Sequence, residues 1–214
     1  MKIGILGGTF NPIHNGHLHI AEEVLRCCGL DQVWFMPTCR PPHKQLADEV
    51  SFADRLAMVE AAVAETPHFF ASDLEGQRGG TSYSVETLQQ LCQQYPEHQF
   101  YFIMGLDSFQ DIGSWKEYQK IFSLAHLIVT ARPGFSGSLR ELLPVDIANC
   151  FCYDAESENL RHRDGFSIIS ITHTCRDVSS TDVRQKLIDG RDVDAFIPPA
   201  VNEYIRRHGL YQKD

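Results

Sequence analysis

A chain of 214 residues with 43% hydrophobic side chains can bury a proper core, and a formal charge of −9 argues against a broad nucleic-acid surface, which needs clustered Lys and Arg. A small anionic ligand needs only a local positive pocket and stays open. Seven cysteines (Cys27, Cys28, Cys39, Cys92, Cys150, Cys152, Cys175) form an odd set without C-x-x-C spacing. No apolar leader precedes the first strand and no apolar run reaches the ~18 residues of a membrane helix, so thiols in a reducing cytoplasm are expected, with no membrane contact.

Lys2 to Leu6 reads as a short buried strand that runs into Gly7-Gly8-Thr9-Phe10-Asn11-Pro12-Ile13-His14-Asn15-Gly16-His17. A strand ending in two glycines lets backbone amides approach a ligand, because glycine has no Cβ to obstruct them. The next helix, predicted over His17 to Cys28 with Leu18, Ala21, Val24, Leu25 and Cys28 on one face, points its positive end at the same place. His14 and His17 can add donors there, as imidazolium or as neutral N–H. The stretch therefore reads as a phosphate-handling loop. The bland alternative is a glycine turn with two solvated histidines.

Gly29 closes that helix, and Val33 to Met36 is a second strand. Ser51 and Asp54 start a helix with a predicted core face of Phe52, Leu56, Val59 and Val63. His68 to Ser72 is a third strand, Ser84 to Tyr95 a helix, Gln99 to Met104 an apolar fourth strand ending at Gly105, and His126 to Ala131 a fifth. Phe135 to Gly165 is the least readable stretch and is expected to be a loop or variable insertion. Phe166 to Ile171 is a candidate last strand. A helix then starts at Ser179-Ser180-Thr181-Asp182 and ends at Gly190, and a final one runs from Pro198-Pro199 to Gly209. Alternating strand and helix predicts a single α/β domain over 1–214. It is a Rossmann-like doubly wound parallel sheet of about five to six strands, with helices on both faces and a small C-terminal helical part from about 179. Ligands then belong at the carboxyl ends of the strands.

The loop fits neither G-x-G-x-x-G nor a P-loop, since the chain has no Gly-Lys pair. Gly7-Gly8-Thr9-Phe10 with His14-Asn15-Gly16-His17, and Val178-Ser179-Ser180-Thr181-Asp182-Val183-Arg184, resemble the two signature motifs of the bacterial nicotinate mononucleotide adenylyltransferases over almost the whole chain. Pro41-Pro42-His43-Lys44, Thr81-Ser82-Tyr83-Ser84, Gly105-Leu106-Asp107-Ser108, Trp115 and Arg132-Pro133 extend the likeness. One departure is Asn11, where the motif often carries Asp.

The resemblance implies that the 5′-phosphate of nicotinate mononucleotide attacks the α-phosphorus of ATP. The nucleophile is already an anion, so the protein must align oxygens and neutralise charge rather than supply a base. His14, His17 and Arg184 are the implied catalytic residues. Gly7, Gly8, Thr9, Phe10, Gly105, Asp107, Ser179, Ser180 and Thr181 join them in binding ATP. Lys44, Thr81, Ser82, Tyr83, Trp115 and Arg132 are implied for nicotinate mononucleotide. Read without the resemblance, Asp107 is a surface turn residue, Trp115 ordinary packing, Thr81 to Tyr83 a helix cap and Lys44 a solvated lysine. Mg²⁺ is expected on the ATP phosphates through phosphate and water oxygens. Zinc sites from His14, His17 and His19, or from Cys39 and His43, lack a second ligand pair at structural spacing, so no protein-held metal is expected. Partners are then the two small substrates, with a homo-oligomer left open. The competing readings are another adenylyl or cytidylyl transferase of the same superfamily, with phosphopantetheine or nicotinamide mononucleotide as acceptor, a non-catalytic nucleotide sensor and, least supported, a nucleic-acid module.

Overall fold

The computed structural model describes residues 1–42, 50–131, 137–155, 159–172 and 178–212. In chain order the elements are β1 (Lys2–Gly8), α1 (Asn15–Cys28), β2 (Gln32–Pro37), α2 (Phe52–Val63), β3 (Phe69–Ala71), α3 (Leu74–Arg78), α4 (Ser84–Gln94), β4 (Gln99–Gly105), α5 (Leu106–Gln110), α6 (Tyr118–Ile121), β5 (His126–Ala131), α7 (Val145–Ala148), β6 (Phe151–Asp154), β7 (Asn159–His162), β8 (Ser167–Thr172), α8 (Ser180–Ile188) and α9 (Pro199–His208). They form two compact units. One holds Met1–Leu6, Glu23–Gln32 and Tyr83–Thr174, the other Gly7–Glu22, Val33–Ser82 and Cys175–Asp214.

In the first unit the strands lie in the order β1-β4-β5-β8-β7-β6. The pairs β1 with β4, β4 with β5 and β5 with β8 are parallel, and β8 with β7 and β7 with β6 antiparallel. β4 and β5 are buried along nearly their whole length, as a parallel strand covered on both faces must be, which explains their unbroken apolar runs. Ile3, Ile5, Phe100, Ile103, Leu127 and Val129 form the centre of this core. Parallel pairing sends the carboxyl ends of the strands to one edge, where ligands of such folds bind.

In the second unit β2 and β3 pair in parallel, with Val33 opposite Phe69. α2 packs against α9, and Tyr204 of α9 donates to Asp54 at the head of α2 at 3.0 Å. Ser51 caps α2 as expected, its hydroxyl accepting from the Asp54 amide at 3.1 Å.

Two expectations change. Among the described residues there are eight strands, more than five to six, because the Phe135 to Gly165 stretch contains the β6–β7 hairpin. Each of its strands spans four residues, too few for a legible period, and Gly165 at φ +93 makes the turn into β8. The buried face of α2 is Arg55, Met58, Val59 and Val63, while Phe52 and Leu56 are half-buried. A helix face admits either stripe around Val59 and Val63, and apolarity alone selected the wrong one.

Candidate active site

The loop between β1 and α1 is held in shape from within. A Cβ on Gly8 would stand 3.1 Å from the Phe10 ring. Phe10 itself is buried and takes a left-handed backbone at φ +47, a conformation that costs a bulky residue about 1–3 kcal/mol unless its surroundings fix it. They do so here: the ring meets Phe35 at 6.0 Å and stands edge-on to His17 at 5.0 Å. The amide of Thr38 donates to the Gly8 carbonyl at 2.8 Å.

α1 begins at Asn15, two residues earlier than predicted, so both histidines sit at its head, and its first turn carries no acidic residue to oppose an anion. The Asn15 amide donates to the Phe196 carbonyl at 2.8 Å and its side-chain amide to the Ala195 carbonyl at 3.1 Å, fixing where the helix starts. The rings of His14 and His17 stack at 3.6 Å with 19° between planes. The His14 amide donates to Nδ1 of His17 at 3.2 Å, which leaves the ring proton of neutral His17 on Nε2. Burial pushes His14 down to about 4, and His17 is held well below the usual imidazole range by burial first and by the charge of His14 second. Both are neutral donors at neutral pH before any anion binds. Gly16 allows the stacking, since a Cβ there would lie 2.9 Å from the Val178 side chain and 3.0 Å from Nδ1 of His14.

The second motif meets the first inside the same unit. Ser179 caps α8, its hydroxyl accepting from the Asp182 amide at 3.1 Å and donating to the Asp182 carboxylate at 2.6 Å. Ser180 donates to the Pro12 carbonyl at 2.9 Å, and Arg184 donates through Nη1 to the Asn11 carbonyl at 2.7 Å and through Nη2 to Thr181 Oγ1 at 3.4 Å. The Tyr211 hydroxyl donates to Oδ1 of Asn11. Gly7, Gly8, Thr9, Phe10, His14, His17, Ser179, Ser180, Thr181 and Arg184 thus belong to one constellation.

Of the residues read for the second substrate, Thr81 and Ser82 lie in this unit. Ser82 is buried, its amide donating to the Arg40 carbonyl at 2.9 Å and its hydroxyl accepting from the Cys39 amide at 3.0 Å. Tyr83, Gly105, Asp107 and Trp115 lie in the first unit. There the Asp107 carboxylate folds back on Gly105, where a Cβ would meet it at 2.5 Å. Trp115 is half-buried, edge-on to Phe102 at 6.2 Å, and Lys116 sits 4.4 Å over the Tyr83 ring while pairing with Glu86 at 2.7 Å. Lys44 and Arg132 fall outside the described residues.

Arg55 escaped the sequence reading. It is wholly buried, and its guanidinium donates to the Thr9 carbonyl at 2.8 Å and the Cys39 carbonyl at 3.2 Å. The available signal was a charged residue on the stripe that continues through Val59 and Val63.

The profile of the cytidylyltransferase-like family matches residues 5–186. A "probable nicotinate-nucleotide adenylyltransferase" of Syntrophotalea carbinolica is 52% identical over 99% of this chain and 98% of its own, and one of Geotalea daltonii is 51% identical over the same shares. Among solved structures, the Plasmodium falciparum nicotinic acid mononucleotide adenylyltransferase complexed with NaAD superimposes with a TM-score of 0.71, covering 98% of this chain and 97% of that one at 21% identity, which speaks to the fold. By its matched profile and its end-to-end relatives, the chain belongs to the nicotinate-nucleotide adenylyltransferase family of the cytidylyltransferase-like proteins.

Proposed function

We propose that this protein joins ATP and nicotinate mononucleotide into nicotinate adenine dinucleotide and pyrophosphate, a step of NAD biosynthesis. The observation that carries the reading is the stacked pair His14 and His17 on a loop that also binds Arg184 and the head of α8. A 5′-phosphate oxygen of the mononucleotide forms the new bond to the α-phosphorus. The bond from that phosphorus to the bridging oxygen of the leaving diphosphate breaks, and the diphosphate takes the electron pair. No proton need be removed, so a neutral His17 whose Nδ1 is already occupied suits a donor through Nε2 better than a base.

His14 and His17 are assigned to the phosphates of ATP, together with Gly7, Gly8, Thr9 and Phe10 of the loop. Arg184, with Ser179, Ser180 and Thr181 at the head of α8, is assigned to the departing diphosphate. Gly105 and Asp107 are assigned to adenosine, and Trp115, Tyr83, Ser82, Thr81, Lys44 and Arg132 to nicotinate mononucleotide. Ser82 fits that role through the backbone it anchors at Cys39 and Arg40. Mg²⁺ would come with ATP and neutralise charge on the phosphates, held mostly by phosphate and water oxygens, with Asp107 the carboxylate assigned to its water shell. No described helix is long and apolar enough to cross a membrane. We place the reaction in the cytoplasm.

Pyrophosphate release measured with nicotinate mononucleotide, nicotinamide mononucleotide and phosphopantetheine as acceptors tests the assignment, and the highest kcat/KM is expected for the first. Turnover with phosphopantetheine alone would move the chain to another acceptor class. His17→Ala is expected to lower kcat by about 10²–10³-fold, the effect of removing one preorganised donor to developing charge. Unchanged turnover would deny His17 a transition-state role.

A further inference from the structure

We propose that Arg55 is a positioning residue for the reaction: one guanidinium ties the phosphate loop to the chain segment at Cys39 and Arg40 and so sets the distance between the two substrates' phosphates. The proposal rests on the function given above. Nη1 holds the Thr9 carbonyl at 2.8 Å, directly before the left-handed backbone of Phe10, and Nη2 holds the Cys39 carbonyl at 3.2 Å. The Cys39 amide in turn donates to Ser82, whose own amide donates to the Arg40 carbonyl. A continuous chain of bonds therefore runs from the ATP-side loop through Arg55 to residues assigned to the acceptor. Both endpoints are backbone carbonyls, so the link fixes main-chain position rather than any single side chain.

Stability alone does not call for arginine at this place. Arg55 sits on the buried stripe of α2 beside Met58 and Val59, and its Nε has no hydrogen-bond partner among the described residues. Burying a guanidinium carries a desolvation cost that a methionine or leucine on the same stripe would avoid. Its planar fork, reaching two acceptors at once, is something no apolar side chain and no lysine reproduces. Burial disfavours the charged guanidinium, and the neighbouring Glu75 carboxylate opposes that.

The test compares Arg55→Lys with Met58→Ala, a variant at a neighbouring buried position of the same helix. Steady-state kinetics with both substrates are read beside thermal unfolding. Misplacing reacting groups by an ångström costs about 10²-fold, so Arg55→Lys is expected to lose about 10- to 100-fold in kcat while both KM values move less than about threefold. Met58→Ala is expected to lower Tm while keeping kcat within about twofold. As a second arm, Arg55→Ala is assayed with added guanidinium at millimolar concentration, which is expected to restore part of kcat. Wild-type kcat in Arg55→Lys, or an equal kcat loss in Met58→Ala at matched Tm, overturns the proposal. If Arg55→Lys does not fold, absence of guanidinium rescue in Arg55→Ala overturns it too. Failure of the functional reading is seen separately, as wild-type protein that does not turn over nicotinate mononucleotide.

Discussion

At the scale of single residues, the histidine pair shows how much protonation depends on placement. Spacing marked His14 and His17 as candidate phosphate donors, but their charge followed only from stacking and burial. His14 takes up its proton at about pH 4 when folded, against 6.5 for the free side chain. Between those values the unfolded chain binds the proton that the folded one refuses, so His14 favours folding above about pH 6.5 and that contribution is lost as the pH falls toward 4. Urea unfolding of the ligand-free protein between pH 7 and pH 4 should show this decline, and His14→Asn should make it shallower. An equally steep decline in the variant would assign the effect to other groups. Gly16 is legible in the same partial way, since the motif names it and only the structure shows that its missing Cβ leaves room for Val178 and His14.

At the scale of elements, all the strands expected from sequence, β1 to β5 and β8, are present, and β4 and β5 were the plainest because continuous apolar runs buried on both faces leave little ambiguity. The β6–β7 hairpin was not readable, because its four-residue strands gain their identity from pairing rather than from local pattern. α2 lies between these cases. Its start was encoded by Ser51, whose bond to the Asp54 amide is present, whereas its inner face was misjudged because an arginine occupies it. Ser51→Ala should therefore lower stability by about 1 kcal/mol, the usual worth of such a cap. Its kcat should hold near the wild-type value, since the Ser51 hydroxyl bonds to Asp54 and the Arg55 contact uses the Ser51 main-chain carbonyl, which the variant keeps. Denaturant midpoints and initial rates check both halves, and a large kcat loss would show that α2 transmits its position to the loop more tightly than its contacts suggest.

At the scale of the molecule, the meeting of the two signature motifs was foreseen because both are short and dense in unusual residues. Its supports were not, because Arg55 and Tyr211 act over large sequence separations that no local window spans. Tyr211, at a left-handed φ of +58, reaches back 200 positions to Asn11. Tyr211→Phe removes that donor from a buried side chain, and an unmet buried acceptor costs about 1–3 kcal/mol. A fall in Tm of about 2–10 °C is expected by differential scanning calorimetry. No change would mean that Asn11 finds another donor as readily.

The second unit is assembled from three separate stretches, Gly7–Glu22, Val33–Ser82 and Cys175–Asp214. Synthesis proceeds from the amino end at about 5–20 residues per second. The loop that carries His14 and His17 thus leaves the ribosome many seconds before Ser180, Arg184 and Tyr211, the residues that brace it at Pro12 and Asn11. A nascent or prematurely ended chain carries both histidines but lacks the contacts that hold their loop at Pro12 and Asn11.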